Sequence, residues 1–342
     1  MRWDNLRLVE PPGKGSMTLP LLEQGAVVRR FDTPEFRGIT FYEVRAKSII
    51  NRVPEASRVP FRWTINPYRG CSHSCFYCFA RNTHTYLDLD YGEDFNSQIV
   101  VKVNAPELLR KELARKSWNG EHIAMGTNVD PYQRAEGRYK LMQGVLEALR
   151  DFANPFSILT KGSLILRDLA LLQECAEVAE VGTNVSVGFV DKEMWRLLEP
   201  GTPTPIKRLE VCRKLNEAGI PCGVLMAPII PFLTDSPQQL AATVKQIAQT
   251  GATHVAPIVL HLRTGAREWY MKWLSENHPD LIPRYERLYA RCAYAPKAYQ
   301  EEITGRVHDL AERYCIGQSG PKEARRVREH EEPPPGGQLS LL

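Results

Sequence analysis

The sequence predicts an α/β protein built on a partial (β/α)6, TIM-like barrel, and three observations carry that reading. From Phe61 to Leu262, short β-branched runs alternate with helical stretches at a spacing of about 25 to 40 residues, as βα units around a parallel sheet do. Six such units are present, which makes a partial barrel and not a closed eight-stranded one. Hydrophobic residues form 43% of the 342-residue chain and charged residues 25%, so there is material for a large core. Wholesale disorder is excluded.

Residues 1–60, rich in Pro, Gly, Arg and short apolar pieces, read as an N-terminal extension in which Ile39 to Val44 is the best strand. The barrel then occupies 61–263. Its expected strands are Arg62 to Asn66, His122 to Thr127, Phe156 to Thr160, Val185 to Phe189, Cys222 to Ala227 and His254 to Leu260. Helical patterns lie between them at Pro106 to Lys116, Leu141 to Phe152, Leu164 to Val178, Ile206 to Ala218 and Pro237 to Thr250. Residues 264–318 form a C-terminal helical segment, because WYMKWL, YERLYARCAY and VHDLAERY set aromatics and leucines at helical spacing, mostly as core. Residues 319–342 read as a flexible tail: the charged run KEARRVREHEE, a PPPGG spacer and the apolar tip QLSLL.

The start, MRWDNLRLVEPPGKG, has no apolar core and carries Asp4 and Glu10, unlike a signal peptide. The longest near-apolar run, Cys222 to Leu233, is broken by Pro228 and Pro231 and falls short of the roughly 20 residues that span a bilayer. A cytoplasmic location is expected. Lys and Arg number 44 against 40 Asp and Glu, a net +4 that permits a polyanionic partner without requiring one.

Eight cysteines are too sparse for a disulfide scaffold, yet three of them, Cys71, Cys75 and Cys78, crowd into one short stretch. The run NPYRGCSHSCFYCFAR sets them at C-x-x-x-C-x-x-C spacing directly after the first barrel strand, at the end where barrels build their active sites. Gly70 allows the sharp turn that would aim three sulfurs at one centre. Three thiolates hold three corners of a four-iron cluster and leave the fourth iron open to a reactive cofactor. The alternative is structural zinc, completed by His73 or a remote Cys222. Cys175, Cys212, Cys222, Cys292 and Cys315 read as inert buried thiols.

This motif resembles the radical S-adenosylmethionine (SAM) superfamily, and the flanking PYRGC and CFYCFAR resemble the branch related to spore photoproduct lyase, over about Trp63 to Arg263. The resemblance implies a [4Fe-4S] cluster on Cys71, Cys75 and Cys78, with the methionyl amino and carboxylate groups of SAM on the fourth iron. One-electron reduction would cleave SAM to methionine and a 5′-deoxyadenosyl radical that takes a hydrogen from substrate. Tyr77 matches the aromatic near adenine, and Lys161, closing the third strand, matches a lysine that reaches the SAM carboxylate. Ser186 matches a position contacting SAM, and Glu199 lies in an LEPG segment that helps bind it.

The segment TNVDPYQRAE matches the family at Thr127, Asp130, Tyr132, Gln133 and Glu136. Thr127 is expected at the cofactor, and Asp130 and Gln133 at the substrate. His261 and Arg263, ending the sixth strand at the barrel mouth, are further substrate candidates. Asp235 is expected to cap the helix after the fifth strand. Spore photoproduct lyase carries an extra hydrogen-donating cysteine on its second strand, and Ile123 to Asp130 contains none, which argues against that particular reaction. No catalytic base is named.

The tip Gln338, Leu339, Ser340, Leu341, Leu342 resembles the peptide that docks on the bacterial sliding clamp, with one amide and three leucines for its pockets. Expected partners are therefore an electron donor such as flavodoxin or ferredoxin, nucleic acid, and the clamp. The leading function is a radical SAM enzyme, a lyase or DNA-repair-like one, acting on nucleic acid or a modified nucleotide. The rivals are a non-catalytic DNA-associated iron–sulfur protein and a radical SAM enzyme acting on a peptide or metabolite.

Overall fold

A computed structural model describes residues 6, 7, 26–55, 57 and 59–317. The tail and its Gln338, Leu339, Leu341 and Leu342 lie outside the described residues. The strands, in chain order, are β1 (Leu6–Arg7), β2 (Val27–Arg29), β3 (Thr40–Ala46), β4 (Ile50–Arg52), β5 (Trp63–Ile65) and β6 (Tyr68–Arg69). They continue with β7 (Gln98–Lys102), β8 (Ile123–Met125), β9 (Phe156–Thr160), β10 (Val181–Ser186), β11 (Cys222–Ile229) and β12 (Val255–Val259).

Seven strands form the larger sheet in the order β12-β11-β10-β9-β8-β5-β4. Its six barrel strands run parallel, with Trp63 opposite Ile123, Ile123 opposite Phe156, Phe156 opposite Val181, Thr183 opposite Cys222 and Val224 opposite Val255. β4 joins the edge antiparallel, Asn51 opposite Thr64. Inward residues Ile65, Ile123, Met125, Ile158, Val185, Val224 and Met226 are all buried in one core. Burial on both faces is what helices packed outside a parallel sheet produce, and it keeps these strands apolar.

The helices are α1 (Glu93–Ser97), α2 (Ala105–Leu113), α3 (Arg134–Tyr139), α4 (Leu141–Asp151), α5 (Leu169–Val178), α6 (Lys192–Leu198), α7 (Pro205–Glu217) and α8 (Pro237–Ala248). Beyond the barrel follow α9 (Ala266–Asn277), α10 (Ile282–Leu288) and α11 (Lys297–Arg313). α4 lies between α2 and α5, α7 covers β10 and β11, and α11 closes over α8 and β12. Local chemistry starts them: Asp191 caps α6 through the Glu193 and Met194 amides, and Thr204 caps α7 ahead of a first-turn proline. Ser236 and Gln239 form a capping box on α8. The expected cap, Asp235, instead accepts a hydrogen bond from Tyr299. Ser236 sits one residue nearer the helix, where its side chain reaches the Gln239 amide.

The fourth barrel strand begins four residues earlier than expected. Val181 and Thr183 already pair with β9, although Gly182 and Asn184 are poor strand formers, because burial between two neighbours outweighs propensity. The smaller sheet, β1-β3-β7-β6 with β2 on the free side of β3, was not expected as a unit. It joins Thr40–Ala46 to β7 in parallel, Phe41 opposite Ile99, and β7 to β6 antiparallel, Tyr68 opposite Val101. The residues just before Cys71 are thereby anchored outside the barrel.

Candidate active site

The three-cysteine loop leaves β6 through Gly70, whose φ of +82° suits glycine and whose added Cβ would lie 2.9 Å from the Gln98 carbonyl oxygen and the His84 ring. The Cys71 amide donates to the Phe95 carbonyl, and the Phe76 amide donates to that of Leu198 at the end of α6. The Gly201 amide donates to the His73 carbonyl, and a Cβ on Gly201 would fall 2.2 Å from the Ser72 oxygen. The loop is therefore gripped by the smaller sheet, by α1, and by the end of α6 with the segment after it.

Polar side chains complete the grip. Gln133 is buried and holds the loop at two points, its Nε2 donating to the Gly70 carbonyl at 3.0 Å and its Oε1 accepting from the Ser72 amide at 3.0 Å. Asp130 accepts from the Tyr132 amide and the Thr160 hydroxyl on one oxygen, and from the Lys161 amide on the other, 3.3 Å from His73 Nδ1. Burial alone would raise its pKa, but His73 and these hydrogen bonds prevail and hold it below the usual value. Asp130 and Gln133 thus support the cysteine loop. Glu136 accepts from Tyr68 and Arg167 and from the Leu141 and Met142 amides, which ties β6 to the start of α4.

Burial pushes all three thiols upward, Cys75 to about 12, and neighbouring cysteines raise Cys71 and Cys75 further. Such thiols ionise against a strong positive centre. Among the described residues, no three Cys, His, Asp or Glu side chains are gathered to hold a single metal ion. Zinc needs four ligands on one ion at about 2.0–2.3 Å, whereas a cubane gives each thiolate a separate iron. Both candidates for a fourth zinc ligand are engaged elsewhere: His73 faces Asp130, and Cys222 lies buried beside Cys212. Cys175, Cys212 and Cys222 are buried as expected, but Cys292 and Cys315 are exposed, since both fall outside the helices.

The residues expected at SAM converge beside this loop. Lys161 Nζ donates to Ser186 Oγ at 2.6 Å and lies 5.8 Å from the centre of the Tyr77 ring. Ser186 Oγ donates to the Ala227 carbonyl. The Tyr77 hydroxyl donates to Glu199, and Arg208 pairs with the other Glu199 oxygen and with the Ser186 carbonyl. Burial would raise the Glu199 pKa, yet Arg208, Lys161 and the Tyr77 hydroxyl together hold it below the usual carboxylate range. Thr127 Oγ1, Asn66 Oδ1, Ser72 Oγ and Arg208 Nε are buried without a protein partner. Unmet polar atoms just past two barrel strands, in the cysteine loop and on α7 suit a polar cofactor with carboxylate and amino groups.

The model of the radical SAM superfamily matches residues 65–244, more than half of the chain. The chain belongs to that superfamily. Its relatives include the uncharacterized protein Rv2578c of Mycobacterium tuberculosis, 50% identical over 298 residues that cover 87% of this chain and 88% of that one. Uncharacterized protein MJ0683 of Methanocaldococcus jannaschii is 33% identical over 199 residues, 58% of this chain and 70% of its own length. Spore photoproduct lyase complexed with dinucleoside spore photoproduct has a similar fold, with a TM-score of 0.63 at 14% identity over 91% of this chain and 86% of that one. A mutant of that lyase with bound AdoMet and dinucleoside spore photoproduct gives 0.59 at 15% identity over 77% of both chains. The partial parallel barrel is thus the radical SAM fold.

His261 and Arg263, expected at the barrel mouth, follow β12. His261 bridges to Tyr294 and stacks on it with ring centres 5.5 Å apart, and the Phe79 ring lies 5.6 Å away on the segment leaving Cys78. Arg263 donates to the Tyr294 hydroxyl at 2.8 Å and faces the Phe79 ring. A pocket of about 420 Å3 opens here, lined by Phe79, Tyr86, Asn128 and Arg263 among others. Among the described residues no helix is long and apolar enough to cross a membrane.

Proposed function

We propose that this radical SAM protein is an enzyme that holds a [4Fe-4S] cluster on Cys71, Cys75 and Cys78, binds SAM beside it, and acts on nucleic acid or a modified nucleotide. The observation that carries the cofactor reading is the continuous set of contacts that brings Tyr77, Lys161, Ser186 and Glu199 together next to the cysteine loop. When bound, cluster and SAM supply a reductive cleavage that yields a 5′-deoxyadenosyl radical able to take a hydrogen atom from substrate. The chain's own residues bind and orient. Lys161 offers an ammonium to a carboxylate, while Thr127 and Asn66 offer buried oxygens to an amino group or hydroxyl. Gln133 and Asp130 keep the loop in place.

The substrate reading draws support from the mouth. Phe79 and Tyr294 are exposed aromatics beside the Arg263 cation, a combination that stacks planar bases and attracts phosphate. The lyases of similar fold are named with a dinucleoside bound. Flavodoxin or ferredoxin as electron donor, and the sliding clamp as a partner of Gln338 to Leu342, belong to the same proposal.

The test is anaerobic. Reconstituted protein should carry about four irons and four sulfides per chain and, with dithionite and SAM, release 5′-deoxyadenosine. Alanine at any one of Cys71, Cys75 or Cys78 should remove both. Stoichiometric zinc would overturn the cofactor reading, and a stable cluster with no 5′-deoxyadenosine would favour the non-catalytic iron–sulfur protein. Oligonucleotides that leave turnover unchanged where peptides or metabolites raise it would overturn the substrate reading.

A further inference from the structure

We propose that Arg81 is a built-in counter-charge for the cluster, a positioning residue whose buried guanidinium raises the cluster's reduction potential. The inference rests on the cofactor reading above and extends it to a residue outside the cysteine set.

Arg81 is fully buried, and it makes five hydrogen bonds to four acceptors. Nε and Nη2 donate to the Cys75 carbonyl at 3.2 and 2.8 Å. Nη1 donates to the Tyr91 and Gly92 carbonyls, and Nη2 also donates to Asn96 Oδ1 at 3.0 Å. The guanidinium carbon lies 5.2 Å from the centre of the Phe95 ring and 5.0 Å from that of Trp269. Every one of these partners is neutral. Among the described residues no carboxylate lies within ion-pair distance of Arg81, although the other buried arginine beside the loop, Arg208, pairs with Glu199.

A buried cation without a counter-ion is costly, and chains rarely keep one unless an anion is to be met there. Two of its donors close on the Cys75 carbonyl, which sets the guanidinium against the cysteine loop. The anion is thus the cysteine loop itself. A dipositive cubane core on three thiolates carries one net negative charge and gains a second when it accepts one electron from an external low-potential donor. A fixed cation bonded to the cysteine loop stabilises the more negative state more, because a buried charge is screened little by solvent. Reduction becomes easier.

The experiment uses the full chain, reconstituted with iron and sulfide, without SAM, poised with Ti(III) citrate and mediators and read by electron paramagnetic resonance of the reduced cluster. Arg81→Gln, at matched iron content, should weaken reduction at least tenfold, a fall of about 59 mV for one electron. Arg81→Lys keeps the charge and should stay within threefold of wild type. Asn96→Asp leaves Arg81 in place but gives it a carboxylate, and should lower the potential in the same direction. A loaded Arg81→Gln cluster at the wild-type potential overturns the proposal. So does an Arg81→Lys potential as low as that of Arg81→Gln, which would assign the effect to the hydrogen bonds of the clamp. If Arg81→Gln takes up no iron, Asn96→Asp decides: an unchanged potential there sinks the idea. A wild-type chain that binds zinc or nothing overturns the cofactor reading itself and this proposal with it.

Discussion

A lysine ammonium, a buried glutamate and a tyrosine hydroxyl meet within one network, and each is matched by a hydrogen-bonding partner. Lys161 is tied to Ser186, which leaves further N–H groups for a ligand carboxylate. Lys161→Ala should weaken SAM affinity by about 1 to 3 kcal/mol, the range for losing a charge-assisted hydrogen bond, with iron content intact. Anaerobic equilibrium dialysis checks this, and unchanged affinity would make Lys161 a spectator. Glu199 is more deeply committed. Its folded pKa is depressed, so the unfolded chain takes up the proton first, and the stability it contributes is present above the ordinary carboxylate pKa and is lost as pH falls through the folded value. Glu199→Gln leaves Arg208 buried without its anion and should cost about 3 to 5 kcal/mol at pH 7. Thermal melts at pH 7 and pH 4 should show the wild type losing more than the variant on acidification; equal losses would remove Glu199 from the acid response.

At the scale of elements, the loop is a product of neighbours far away in sequence. Gly201 touches the Ser72 oxygen so closely that Gly201→Ala must displace the loop, and iron uptake should fall severalfold while far-ultraviolet circular dichroism stays native. Full iron content in that variant would show the loop to be adaptable. The short helical segment Phe79–Leu87 after Cys78 carries His84, held neutral by burial with a pKa near 4 and bonded to the Gln98 carbonyl at 2.9 Å. The unfolded chain protonates near 6.5, so stability should fall as pH drops from about 6.5 to 4 and level off below, a slope that His84→Gln should flatten in urea titrations. What was legible followed local patterning. The six parallel strands announce themselves as β-branched runs, and the cysteine spacing marks the loop. β7 stayed hidden because QIVVK pairs with β3 and β6, outside the barrel alternation. Gln133 stood out as a substrate candidate, but its hold on the loop, like the bonds of Arg81 and Arg208, was not legible, because that work is done on backbone carbonyls and buried partners contributed by other elements.

At the scale of the whole molecule, the C-terminal helices belong to the packing of the barrel. α11 packs on α8 and β12, and Leu262 pairs with Ala293 so that the C-terminal helical segment seals the last barrel strand. The cysteine loop, the SAM residues and the mouth all lie between residues 66 and 294. The proposed clamp contact and the proposed chemistry use different stretches of the chain, so they are separable. Removing 319–342 should leave iron content, 5′-deoxyadenosine release and melting temperature within error of the full chain. It should abolish binding to the bacterial clamp, measured by titration calorimetry. That binding should be micromolar in the full chain, because five residues bury little area and lose conformational entropy on docking. Equal clamp binding by the shortened and full chains would place the contact elsewhere or nowhere. A fall in iron content on truncation would show instead that the tail braces the barrel, and the link from this chain to DNA would then rest on the Phe79, Tyr294 and Arg263 mouth alone.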